Sequence, residues 1–156
     1  MRVAIGRVLL TLAVLAWTTA AEAAGCPMED RGIDMRPPGP TESLGEETVA
    51  LLGHVRLGQG IDDRVLRLRR ITLSPGAQVG WHEHGDRSLL LFVESGIYTE
   101  YRSDCRVPIR HEAGNAIEEA IGTKHWWRNE GAVPVVLLIS DIVTPDAVDR
   151  LNLPRR

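Results

Sequence analysis

The chain has only two cysteines, no basic run longer than two residues, no long apolar run and almost no stretch with helical apolar spacing. Each shortage removes a class of protein. Cys26 and Cys105 allow one disulfide, and in an oxidising compartment two such residues do not suit thiol catalysis. A formal net charge of -3 without a basic patch argues against nucleic acid as a partner. The longest apolar stretch, Val8 to Trp17, is about half of the roughly 20 residues a membrane-spanning helix needs. No transmembrane span is expected.

What is present begins with an export signal. Arg2 and Arg7 precede the Val8 to Trp17 run, and small residues follow down to Ala21-Glu22-Ala23, an A-x-A cleavage pattern. Residues 1–23 therefore read as a secretory signal peptide, which places the mature chain in the periplasm or outside the cell. A competing reading takes Ala23-Ala24-Gly25-Cys26 as a lipobox, with Ala23 where leucine is usual. The mature chain has the length of one domain with one core.

Residues 24–47 carry Pro27, Pro37, Pro38 and Pro40 with little apolar periodicity, and read as an irregular extended arm. From Thr48 to Val143 short apolar runs alternate with Gly, Pro, Asp and Asn, the texture of an all-β sandwich or barrel. Expected strands are Val49 to Leu57, Val65 to Leu73, Val79 to His84, Leu89 to Val93, Ile97 to Tyr101, Val107 to His111, Ala116 to Glu119, His125 to Asn129 and Val133 to Ile142. Residues 144–156 form a short tail, helical over Pro145 to Leu151. Between Val133 and Val143 both parities are apolar, so the outer face of that strand wants a cover: another β layer or the second subunit of a homodimer.

Three histidines carry the chemistry. His82 and His84 are two apart, so on a strand their side chains leave one face, while Trp81 and Glu83 leave the other. His125, from a second segment, completes a set of three imidazoles suited to a divalent metal, with positions left open for water or substrate. Trp127 and Asn129 share the parity of His125 and are candidate cavity walls; Trp126 and Arg128 face outward. His54 reads as structural or exposed, and His111, beside Glu112, as solvated. No general base stands out.

The two segments resemble the paired motifs of the cupin superfamily. The first, G-x5-H-x-H-x(3,4)-E-x6-G, is matched by Gly76, His82, His84 and Gly96. The second, G-x5-P-x-G-x2-H-x3-N, is matched by Gly114, Gly122, His125 and Asn129, with Ala120 in place of proline. The resemblance implies a double-stranded β-helix, a jelly-roll-like barrel, with a metal held near one mouth. The position that the family gives to a metal-binding glutamate holds Leu89 here, with Ser88 beside it. The pattern is then similar to the three-histidine subset of cupins, which includes thiol dioxygenases and diketone-cleaving dioxygenases.

That resemblance implies iron as the metal, ahead of zinc, nickel, copper or manganese. It also favours a small anionic ligand, with oxidative cleavage ahead of isomerisation or decarboxylation. A non-catalytic cupin that binds a small ligand or a metal for sensing or storage is the alternative. Asp86, in the Gly85-Asp86-Arg87 turn, is a second source of a carboxylate. Arg87 and Arg128 are candidate contacts for an anion. Tyr101 shares the parity of Leu89 if no bulge intervenes, which makes it a candidate proton donor lining the cavity.

Overall fold

A computed structural model describes residues 25–45, 47–58 and 60–152. The signal segment, residues 1–23, lies outside the described residues. Among the described residues the strands are β1 (Glu47–Arg56), β2 (Val65–Leu73), β3 (Gln78–Glu83), β4 (Leu89–Ser95), β5 (Ile97–Arg102), β6 (Ile109–Glu112), β7 (Ala116–Glu119), β8 (Lys124–Arg128) and β9 (Val135–Val143), with a 3-10 turn at Met28–Asp30 and one α-helix, α1 (Pro145–Asn152). They form a five-stranded sheet in the order β1-β2-β9-β4-β7 and a four-stranded sheet in the order β3-β8-β5-β6. All pairings are antiparallel, and the two sheets make a jelly-roll-like sandwich.

Period-two alternation sets the faces. On β9, Val135, Leu137, Ile139, Asp141 and Val143 are buried, while Val136 and Leu138 are half-buried and Ile142 is exposed. The core between the sheets is built from Leu73, Leu91, Val93, Ile117, Val135 and Leu137 together with Tyr98 and Trp127. Burying each aliphatic side chain contributes about 1.5–3 kcal/mol before chain entropy is counted.

Three bulges break the alternation, and each changes which residues face inward. On β1 the register with β2 shifts between Leu51 and Gly53, so Val49 and Leu51 are half-buried but Val55 is turned to solvent. This differs from the single parity expected for that strand. On β4 the pairing with β9 shifts between Val93 and Ser95. On β3 the pairing with β8 shifts between Val79 and His82.

The arm is tied down. Cys26 and Cys105 form a disulfide, Arg31 bridges to Cys105 and Leu44 to Gln78, and Trp81 N–H donates to the Pro40 carbonyl at 2.6 Å. The fit is close enough to require glycine at two places. A β-carbon at Gly39 would collide with the Trp126 indole, and one at Gly80 with the Thr41 carbonyl.

Candidate metal centre

The β3 bulge positions the first ligand. Val79 pairs with Trp127 and His82 with His125, so three residues of β3 span what two span on β8. The extra residue is absorbed around Gly80 and Trp81. Val79 and His82 thereby both meet inward-facing partners despite their odd spacing. The same bulge supplies a latch: His82 Nδ1–H donates to the Gly80 carbonyl at 2.9 Å.

His84 follows the end of β3 and is anchored by its backbone N–H to the Thr123 carbonyl at 3.0 Å. His125 is the second residue of β8 and is 2% exposed. The three Nε2 atoms converge: His82 to His125 is 3.0 Å, His84 to His125 is 3.1 Å and His82 to His84 is 3.3 Å. Three nitrogens each about 2.1 Å from one ion stand about 3.0 Å apart at right angles and about 3.4 Å apart at the tetrahedral angle. The observed triangle falls in that range.

Glu100 of β5 sets the tautomer of His125. Its Oε1 accepts from His125 Nδ1 at 2.6 Å and its Oε2 accepts from His111 Nε2 at 2.8 Å. With protons on the Nδ1 atoms of His82 and His125, their Nε2 lone pairs point at each other and at His84. Lone pairs gathered this way repel unless a cation lies between them, so the donor set fits a divalent metal.

The electrostatics favour neutral donors at two of the three rings. Burial, with the adjacent His125, pushes His82 down to about 4 and His84 down to about 3, so both are neutral donors at pH 7. Burial also acts to lower His125, but its hydrogen bond to Glu100 and the charges of Glu119 and Glu100 outweigh that and raise it. Burial would raise Glu100, yet the hydrogen bonds from His111 and His125 hold it well below the usual carboxylate range. Glu119 goes the other way: burial pushes it up to about 7 against the pull of His125.

Two carboxylates therefore lie at the triad, and neither came from the sequence expectation. Glu100 and Glu119 are both buried and, with His125, form a second cluster of metal-ligand type. Asp86 does line the mouth of the site, as a turn residue in a cavity of about 510 Å³ shared with Arg64, Arg67, His84, Arg87 and Thr144. Beside that cavity Asp141 accepts from Arg67 at 2.9 and 2.7 Å, from Arg69 at 3.0 Å and from Arg87 at 2.8 Å. Three guanidinium groups on one carboxylate leave a local excess of positive charge next to His84.

Several expected site residues sit elsewhere. Tyr101 points to the outside of β5, where its ring stacks on Trp126 at 4.0 Å and its hydroxyl reaches Glu130 at 3.4 Å. The β4 bulge between Val93 and Ser95 is the reason, because it transfers the inward parity to Tyr98 and Glu100. His111 is not solvated: it is fully buried and bonded to Glu100. Trp127 packs in the core against Tyr98. Asn129 clasps backbone, donating to the Leu73 and Val133 carbonyls and accepting from Gly131 N–H. Leu89 is buried in the same core cluster as Trp127. Arg128 and His54 are exposed. The signal for Glu100 and Glu119 was their parity with buried neighbours, Tyr98 and Ile117.

This arrangement defines a small β-sandwich with a buried imidazole cluster at one end. A cupin-domain family profile matches residues 69–141, the stretch that carries all three histidines. Similar solved structures include the cupin domain of Cnp3 from Schizosaccharomyces pombe, at 10% identity and TM-score 0.51, covering 73% of this chain and 77% of that one. Another is an uncharacterised double-stranded β-helix protein from Klebsiella pneumoniae, at 20% identity and TM-score 0.49, covering 68% and 84%. A predicted oxalate decarboxylase from Thermotoga maritima aligns at 17% identity and TM-score 0.45, covering 69% and 99%. No curated protein sequence matches the chain. No helix among the described residues is long and apolar enough to cross a membrane.

Proposed function

We propose that the protein is an exported cupin that holds one divalent ion on His82, His84 and His125 and acts with it on a small organic anion. The observation that carries this reading is the convergence of the three Nε2 atoms, with two of the rings latched through Nδ1 by Gly80 and Glu100. An ion bound there supplies Lewis acidity, or with iron a redox centre. The chain's own residues do the rest. Arg67 and Arg87 place charge at the mouth, where an anionic group enters, and Glu100 keeps His125 oriented throughout. Iron ranks first, with zinc, nickel, copper or manganese as alternatives.

Export is supported by Arg2 and Arg7 before the Val8 to Trp17 run, by the A-x-A pattern ending at Ala23, and by the Cys26–Cys105 bridge, a bond at home in an oxidising compartment. Homodimerisation through the outer face of the five-stranded sheet is supported by Leu66, Leu90, Phe92 and Ile142, which are all exposed there. The mass of the protein in solution, compared with that of a Leu90→Glu/Phe92→Glu variant, tests it.

Metal content of the untagged mature protein, purified anaerobically beside a His82→Ala/His125→Ala variant, tests the centre. Near-stoichiometric iron in the wild type and none in the variant supports an oxygen-using enzyme and leads to a dioxygen-uptake screen over small organic acids. Zinc, nickel or copper at that level keeps the site and moves the reaction to non-redox chemistry. Metal or ligand binding without any turnover assigns the same site to sensing or storage. No metal after reconstitution overturns the reading.

A further inference from the structure

We infer that Glu119 supplies a fourth, carboxylate ligand to the metal centre, from β7, the strand next to the one on which Leu89 stands. The inference rests on the three-histidine reading above and adds to it. On β7 the inward positions are Ile117 and Glu119, at 1% and 2% exposure. Glu119 is the ladder partner of Leu89 on β4, and directly opposed residues of an antiparallel pair leave the sheet on the same face. The Glu119 side chain therefore enters the interior beside Leu89, at the edge of the sheet that faces the triad.

Its carboxylate lies between the rear nitrogen of His84 and the donor nitrogen of His125. Glu119 Oε2 lies 3.2 Å from His84 Nδ1 and 3.7 Å from His125 Nε2. The second distance matters more, because Nε2 is the atom that faces the ion. Glu100 offers the contrast. It touches the same imidazole only at Nδ1, from behind, in a short aligned hydrogen bond of 2.6 Å. Glu119 makes no such bond: despite the 3.2 Å approach, His84 Nδ1 is buried without a hydrogen-bonded partner. A carboxylate that only oriented His84 would be aligned with that nitrogen, as Glu100 is with His125.

A buried carboxylate whose ion-pair contacts are two imidazoles is costly as an anion. A divalent cation shared with those rings removes the cost. The donor set then carries one negative charge and differs in kind from three neutral nitrogens. It keeps the carboxylate that Leu89 cannot provide and takes it from a neighbouring strand.

The test uses cobalt(II) as the probe in the full-length mature protein. Four forms are compared: wild type, Glu119→Gln, Glu119→Ala and the relocated pair Leu89→Glu/Glu119→Leu. Chelator competition gives affinity, and the visible absorption of the bound cobalt reports its ligand set. Glu119→Gln is expected to weaken affinity by about tenfold or more and to change the cobalt spectrum, while the relocated pair recovers both at least in part. Retention of wild-type affinity and spectrum in Glu119→Gln overturns the inference. So does weakened affinity with an unchanged spectrum, which marks a positioning role. Thermal melts of the metal-free forms check that each variant is folded, and the conservative Glu119→Gln serves if Glu119→Ala is not. A wild type that takes up no metal overturns the three-histidine reading itself, a result distinct from the failure of Glu119 alone.

Discussion

Glu100 stands between two histidines that do different work: His125 Nδ1 at 2.6 Å, whose far nitrogen faces the triad, and His111 Nε2 at 2.8 Å, which faces the core. All three side chains are buried to within a few per cent. The carboxylate fixes one imidazole for ligation and is itself fixed by the other.

Removing that charge should therefore act on the metal before it acts on the fold. Glu100→Gln is expected to weaken metal affinity by roughly 10–100-fold, the usual cost of losing an outer-shell partner, measured by chelator competition. His111→Ala strips one partner from a buried ion and is expected to cost about 3–5 kcal/mol of folding stability, measured by urea unfolding of the metal-free protein.

Acid should destabilise the metal-free protein in a defined window. His82 and His84 have folded values of about 4 and about 3, below the ordinary 6.5. As pH falls through about 6.5 the unfolded chain takes up protons that the folded chain refuses, so stability declines until the folded values are reached. Glu119, raised to about 7, has the opposite sign: its contribution is full below about 4.5 and is lost as pH rises through about 7. Urea midpoints measured from pH 7.5 to pH 4.5 are expected to fall on balance, and to fall more steeply in Glu119→Gln. Saturating metal should flatten the upper part of the curve.

Arg87 lines the mouth and is the most exposed of the three arginines on Asp141. Arg87→Gln should leave metal content unchanged and weaken the binding of a small dicarboxylate such as malonate by about tenfold or more, the scale of one charge-assisted hydrogen bond. Calorimetry of malonate binding to the metal-loaded protein checks this. Asp141→Asn, by contrast, leaves three guanidiniums without their anion and should cost about 3–5 kcal/mol in stability.

The Cys26–Cys105 bridge closes a separation of 79 residues. Replacing both cysteines by serine is expected to cost about 2–4 kcal/mol and to expose the arm to protease first. Mass spectrometry of timed digests gives the order of cleavage.

How much of this was legible can be judged from particular residues. His82 and His84 declared themselves because a spacing of two on a strand has one geometric meaning, whereas His125 was found through the resemblance of its segment to the second cupin motif. The strands β2 and β7 were bounded correctly because turn residues mark them off, Ser74-Pro75-Gly76 after β2 and Ala113-Gly114-Asn115 before β7. Tyr101 was misplaced because parity was carried across the β4 bulge, and one inserted residue reverses every face that follows. His111 shares parity with buried Ile109, but a histidine beside a glutamate near a strand end looks the same whether wet or dry. Glu100 and Glu119 were silent because burial of an acidic residue depends on which strand is its neighbour, and pairing order is not written in local pattern.

One feature of the ladder reaches beyond the chemistry of the centre. His82 and His125 are register partners on β3 and β8, two strands joined at residues 43 apart in sequence. An ion held by both is a removable cross-link across that loop, stabilising the folded state in proportion to the logarithm of free metal. The disulfide clips the arm permanently, while an ion at the centre would clip the barrel only as tightly as its surroundings supply it, so the lifetime of the protein would become a gauge of metal abundance.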